Sequence, residues 1–118
     1  MQFEDFQHKL QVVLGMKKEG IYSLSDRDHK LRLSDALFCA EDIVRNRKFF
    51  VAIQKALQNL GDEVVVIDAG AGTGVLGIMT LIHGAKHCTF IEENPYTMEL
   101  CKQVVESFGY THRSDFLL

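Results

Sequence analysis

The residues of this chain with types and spacing suited to chemistry are few: Asp68, Glu92 with its neighbour Glu93, Arg45, and the glycines 70, 72 and 74 around Thr73. Glycines at alternate positions leave the backbone bare, so a ligand can approach the peptide N–H groups and the chain can take torsions that a side chain opposes. After them, residues 75–83 are strongly apolar, have helical length and stop at Gly84, a helix C-terminal residue. The turn therefore opens a helix, and the unpaired N–H groups there favour an anionic or strongly hydrogen-bonding ligand. Before the glycines, residues 64–67 form a continuous β-branched run that predicts a strand buried on both faces, closed by Asp68. Residues 88–91 predict a second short strand ending at Glu92 and Glu93, with Asn94 and Pro95 suited to the N-cap and first position of the next helix. A carboxylate at that strand end can accept both ribose hydroxyls of a nucleoside. Glu92 is the candidate, Glu93 the alternative, and a pair of solvated loop acids the reading without function.

Two ligand classes use such a turn. Gly72, Gly74 and Gly77 satisfy the G-x-G-x-x-G of dinucleotide sites, whereas Asp68, Gly70, Gly72 and Gly74 satisfy the acid-x-G-x-G-x-G of S-adenosylmethionine sites. The acid favours the second: a carboxylate just before the first glycine repels a pyrophosphate but helps to hold an ammonium. The stretch VVVIDAGAGTGVLGIMTLIHGAKHCTFIEEN resembles the first β-α-β unit of the class I methyltransferases. More narrowly, GTGVL, the pair Gly84 and Ala85, and Glu92 sit at the spacing of protein arginine methyltransferases and their relatives. The resemblance implies an α/β fold: the N-terminal half of a Rossmann-like methyltransferase sheet, parallel strands with crossover helices, preceded by helices. It also implies S-adenosylmethionine as cofactor, bound by Asp68, Gly70, Gly72, Thr73, Gly74 and Glu92, and a methyl group passed from its sulfonium to a nucleophilic nitrogen, oxygen or carbon.

The same resemblance extends upstream. EDIVRNRKFFVAIQKAL is similar to the helix that precedes the glycine motif in arginine methyltransferases, where an Asp-x-x-Arg pattern supplies an arginine to the cofactor carboxylate; Asp42 and Arg45 match it. A guanidinium suits a bidentate grip on a carboxylate. The alternative is an exposed helix arginine paired with Asp42 or Glu41. Ala36 and Cys39 stand where the family commonly has His and Met, so the acceptor is not fixed as an arginine. The stretch holds no candidate general base, and no catalytic residue is assigned.

The elements that must position these residues follow from periodicity. The 118 residues make one small domain, with a helical segment over 1–60 packing on the first half of a cofactor domain over 61–118 that stops near strand three. Phe3, Phe6, Leu10 and Val13 share one face of an N-terminal helix ending near Gly15, either a lid over the cofactor or a cover for the core. Residues 16–30 have a loop composition, in which Tyr22 is a candidate for stacking on a ligand. From Ser34 or Asp35 a helical pattern runs to Gly61 with a bend near Asn46. After Pro95, Met98, Cys101, Val105 and Phe108 share a helix face ending at Gly109, and residues 116–118 begin a third strand.

Charge and cysteines bound the class. Residues 1–60 carry ten Lys or Arg against eight acids and residues 61–118 three against eight, giving +2 and −5. No basic face is indicated, which argues against a nucleic-acid binder relying on its own field. Three cysteines without C-x-x-C spacing suit a reducing cytosol, hence a cytoplasmic location with the nucleus as the alternative, and no targeting signal or membrane-length apolar run is present. His83 and His87 are four apart but separated by the helix-ending Gly84, so no metal site is expected. A half-sheet leaves its first strand as an edge, which predicts self-association or a partner chain there, beside a methyl-acceptor substrate. The alternative to an enzyme is a noncatalytic binding or assembly module of the same fold. A nicotinamide-dependent oxidoreductase is the more distant one.

Overall fold

The computed structural model describes residues 1–17, 26, 29 and 31–118; Tyr22 and most of the expected loop lie outside them. Three helices come first: α1 (Phe3–Lys17), α2 (Leu33–Glu41) and α3 (Ile43–Leu60). Then β1 (Val65–Ala69), α4 (Val75–Ile82), β2 (His87–Ile91), α5 (Pro95–Ser107), a 3-10 turn at Thr111–Arg113, and β3 (Ser114–Leu117) alternate. The strands are parallel in the order β1-β2-β3, with Asp68 level with Phe90 and Phe90 level with Phe116.

Each crossover is a strand, a helix and a parallel return one position along the sheet. Such connections are right-handed, so α4 and α5 fall on the same face. That face carries the core. Phe90 and Cys88 of β2, Ile78 and Met79 of α4, and Cys101, Val104 and Val105 of α5 are all buried. The N-terminal helices extend the same core: Phe6 lies 5.7 Å from Phe50 of α3 and 5.5 Å from Phe108, ring centroid to ring centroid. So α1 covers the core through Phe3, Phe6, Leu10 and Leu14, and runs to Lys17, two residues past Gly15; Leu14 is the buried residue at the fourth contact, and Val13 only packs against its margin.

The other sheet face is bare, which corrects the expectation that the first strand is buried on both faces. Val65 is 64% exposed and Ile67 68%. The reason is topological: every crossover here lies on one side, and nothing among the described residues covers the other.

A second correction concerns the long helix. It breaks at Asp42, not near Asn46. Asp42 leaves helical torsions and its carboxylate accepts from the Arg45 backbone N–H at 3.1 Å, an N-cap that starts α3. Asn46 stays inside α3, fully buried, and its amide donates back to the Ala40 carbonyl (2.9 Å) and to Gln7 (3.0 Å). The residue that looked like a helix breaker thus joins α2, α3 and α1. The third strand is fuller than expected, since its pairing with β2 begins at Ser114.

Candidate functional site

The glycine turn lies at the C-terminal ends of the strands, where open parallel sheets bind ligands. Its shape follows from three glycines with φ of 69°, 59° and 87° at positions 70, 72 and 74. At Gly74 the requirement is doubled: a Cβ there would lie 2.9 Å from Cys101 Sγ, in a backbone conformation that side chains resist. The Ala71 N–H donates to the Ile91 carbonyl at 2.9 Å, tying the turn to the end of β2. Gly77, one turn into α4, lets the helix sit against the sheet, because a Cβ there would fall 2.3 Å from the Phe90 ring.

Two carboxylates brace this turn. Asp68 Oδ2 accepts from the Gly77 N–H at 2.9 Å. Burial pushes the Asp68 carboxyl above its usual range, the Gly77 N–H opposes that, and the nearby Glu92 charge adds to it. Glu92 is buried and accepts from two backbone groups, Gly72 N–H on Oε1 (3.0 Å) and Asn94 N–H on Oε2 (2.8 Å). Each oxygen keeps a lone pair for a further donor. Glu93 instead points outward and meets His29 Nδ1 at 2.5 Å.

A cavity of about 280 Å³ opens over the turn. Arg45, Asp68, Gly70, Gly72, Thr73 and Glu92 all line it, so six of the seven residues singled out in the sequence converge on one space. Gly74 does not; it caps α4 behind the turn and faces Cys101, Phe90 and Ile78. Arg45 reaches the cavity from α3 with its guanidinium 4.9 Å above the Phe49 ring. Its opposite wall is α2 and the residues before it: Leu31, Arg32, Asp35, Ala36 and Cys39. Ala36, at the position where the family pattern departs, packs 3.5 Å from where a Gly72 Cβ would be.

What holds that wall was not visible in the sequence. Asn94 is the expected N-cap, its Oδ1 accepting from Tyr96 N–H (3.0 Å) and Thr97 N–H (3.4 Å), and Pro95 follows as the first helical residue. Its Nδ2 also donates to Asp26 Oδ2 (3.0 Å) and to the Leu31 carbonyl (3.2 Å). Asp26 in turn accepts from the Leu33 N–H at 2.7 Å, which begins α2 and holds the carboxyl below its usual range. Asn94 therefore ties together Glu92, through its backbone N–H, and the starts of α5 and α2, through its buried side-chain amide.

Four further titratable groups, Cys88, Cys101, His83 and His87, lie outside the cavity lining. Burial raises the Cys88 thiol to about 12 and Cys101 further still. His83 packs edge-on to Phe50 at 4.4 Å, and burial lowers its pKa; His87 faces Asp115 at 3.2 Å. The two histidines serve separate contacts, and no group of three metal-ligating side chains occurs among the described residues.

The donor set matches the cofactor suggested by the sequence. A guanidinium suits a carboxylate, a buried carboxylate an ammonium, a bare backbone a close ligand, and a second carboxylate a pair of hydroxyls. Comparison with known proteins gives the family and the fold. The family model described as Conserved hypothetical protein 95 matches residues 25–117. A 72-residue stretch is 39% identical to Drosophila melanogaster protein arginine N-methyltransferase 7, covering 57% of this chain and 10% of that protein. The chain thus matches only about a tenth of the length of that curated relative. Among solved structures, the Trypanosoma brucei PRMT1 enzyme-prozyme heterotetramer with AdoHcy superposes with a TM-score of 0.59 at 21% identity, over 65% of this chain and 24% of that one. Thermoplasma acidophilum 1320 superposes with a TM-score of 0.56 at 19% identity, over 99% of this chain and 46% of that one.

Proposed function

Because the chain belongs to the family described as Conserved hypothetical protein 95 and has the fold of the N-terminal half of a Rossmann-like methyltransferase, we propose that it is the S-adenosylmethionine-binding part of a class I methyltransferase. The observation that carries this reading is the convergence of Arg45, Asp68, the glycine backbone and Glu92 on one cavity. Similarity to an arginine N-methyltransferase over a 72-residue stretch supports it.

In this reading Arg45 grips the cofactor carboxylate and Asp68 its ammonium. Gly70, Gly72, Thr73 and Gly74 form the close backbone turn, and Glu92 accepts from the ribose hydroxyls with the lone pairs that Gly72 and Asn94 leave free. When bound, the cofactor supplies an electrophilic methyl group on a sulfonium. The chain's own contribution is to orient that end and keep water from it, with α2 as the wall. No side chain lining the cavity is placed here as a general base. The groups that deprotonate and hold the methyl acceptor are assigned to the rest of the enzyme, and the acceptor to a protein or other macromolecule. The free edge of β1 and its bare face would pair there with a further strand, on the same chain or a partner, so this chain alone is expected to bind without turning over. Three free thiols and the absence among the described residues of a helix able to cross a membrane accord with a cytoplasmic setting.

S-adenosylhomocysteine at about a hundred times its Kd should stabilise the folded chain by roughly 2.7 kcal/mol, read as a rise in unfolding temperature. A nicotinamide dinucleotide at the same concentration should leave it unchanged. The reverse pattern would return the turn to the dinucleotide class, and no shift with either would leave an assembly module of this fold as the better reading.

A further inference from the structure

Thr97 was not among the residues the sequence singled out. It sits at the third position of α5, 2% exposed, and lines the cavity beside Glu92, Gly72 and Thr73. Its hydroxyl oxygen is buried and has no hydrogen-bond partner among the described residues, while the Thr97 backbone N–H is already used on Asn94. A buried hydroxyl without a partner is costly, and native structures satisfy nearly all of them. A structural threonine at this place would do better as valine, which has the same shape and no polar atom to strand. The fold therefore carries a hydroxyl that nothing among the described residues takes up, on a side chain that lines the cavity.

The direction of that hydroxyl's use follows from its neighbours. Glu92, the Asn94 N–H and the Asn94 cap on Thr97 form one continuous chain of contacts, which sets Thr97, in the first turn of α5, on the side of the carboxylate assigned to the ribose. Arg45 and Asp68, assigned to the amino acid end, come from α3 and β1. The helix N-terminus adds its partial positive charge at the same spot, which suits an acceptor atom. We propose that the Thr97 hydroxyl is a specificity contact for the nucleoside end of the cofactor, hydrogen-bonding a polar atom of the ribose or base. This inference rests on the methyltransferase reading above and deepens it.

The test compares wild type, Thr97→Val and Thr97→Ser by calorimetric titration with S-adenosylhomocysteine and with adenosine, alongside thermal unfolding of each chain without ligand. Thr97→Val should bind both ligands about five- to tenfold more weakly, the loss of one hydrogen bond. Its ligand-free unfolding temperature should equal or exceed that of wild type, because the stranded hydroxyl is gone. Thr97→Ser should retain most of the affinity. The assignment is overturned if wild type binds S-adenosylhomocysteine and Thr97→Val binds it equally well. It is equally overturned if Thr97→Val unfolds at lower temperature without ligand, since the hydroxyl would then serve the fold. Failure of the folded wild-type chain to bind either ligand would instead strike the methyltransferase reading on which the inference stands.

Discussion

At the scale of single residues, Asp68 is the group whose behaviour most directly reports the site. Burial and the Glu92 charge raise its pKa, against the Gly77 N–H, so the folded chain holds this proton more tightly than the unfolded one. The free protein should therefore lose stability as pH rises from the unfolded-state value through the raised folded-state value. Binding an ammonium beside Asp68 has the opposite preference, for the ionised carboxylate. Affinity for S-adenosylhomocysteine should thus climb with pH over that interval, above the ordinary 3.8, and Asp68→Asn should flatten the dependence while keeping an acceptor for Gly77. Titrations across pH in buffers of different ionisation enthalpy would read this; an affinity that is independent of pH in wild type would place the ammonium elsewhere. Asp68 and Glu92 were legible in the sequence because their spacing from the glycines is local. Thr97 and the second role of Asn94 were not, since Asn94 meets a partner 68 residues away and no short-range pattern encodes that.

At the scale of elements, boundaries set by glycines and caps read well. The stop at Gly84, the Asn94–Pro95 start of α5 and the end at Gly109 all follow from local backbone chemistry. The α2–α3 join did not read well, because Asp42 and Asn46 are both helix-unfavourable residues and only tertiary burial decides which one breaks the helix. The fit of α4 against the sheet depends on Gly77, so Gly77→Ala should cost about 1–3 kcal/mol of stability by forcing Phe90 to shift. Denaturant unfolding would measure it, and an unchanged midpoint would mean that the helix slides freely over β2. Asn94 offers a second check on the same elements. Asn94→Ser keeps a helix cap and loses the tie to Asp26, so amide exchange should quicken at the start of α2 while α5 stays protected. Unchanged exchange at Leu33 would show that the wall does not depend on the buried amide.

At the scale of the whole molecule, the single-sided sheet is the main departure from the sequence reading. A continuous β-branched run predicts burial on both faces, and the run is indeed suited to that; the crossovers present here cover only one. Val65 and Ile67 on β1 and Leu117 on β3 remain exposed beside an unpaired strand edge. Such a surface favours contact with another strand or apolar face. Sedimentation over a range of concentrations should show association that Ile67→Lys suppresses; a monomer at every concentration would count against the edge as a contact. The cofactor binding proposed for the cavity does not depend on that outcome, because Val65, Ile67 and Leu117 do not line it.

Whether the converging residues hold S-adenosylmethionine is decided by calorimetric titration of the chain and of Asp68→Ala with S-adenosylhomocysteine. Wild type should show saturable one-to-one binding, and removing the carboxylate should weaken it about 10- to 100-fold, the cost of one charge-assisted contact. Equal binding by the two folded proteins, or none by wild type, would contradict the S-adenosylmethionine reading.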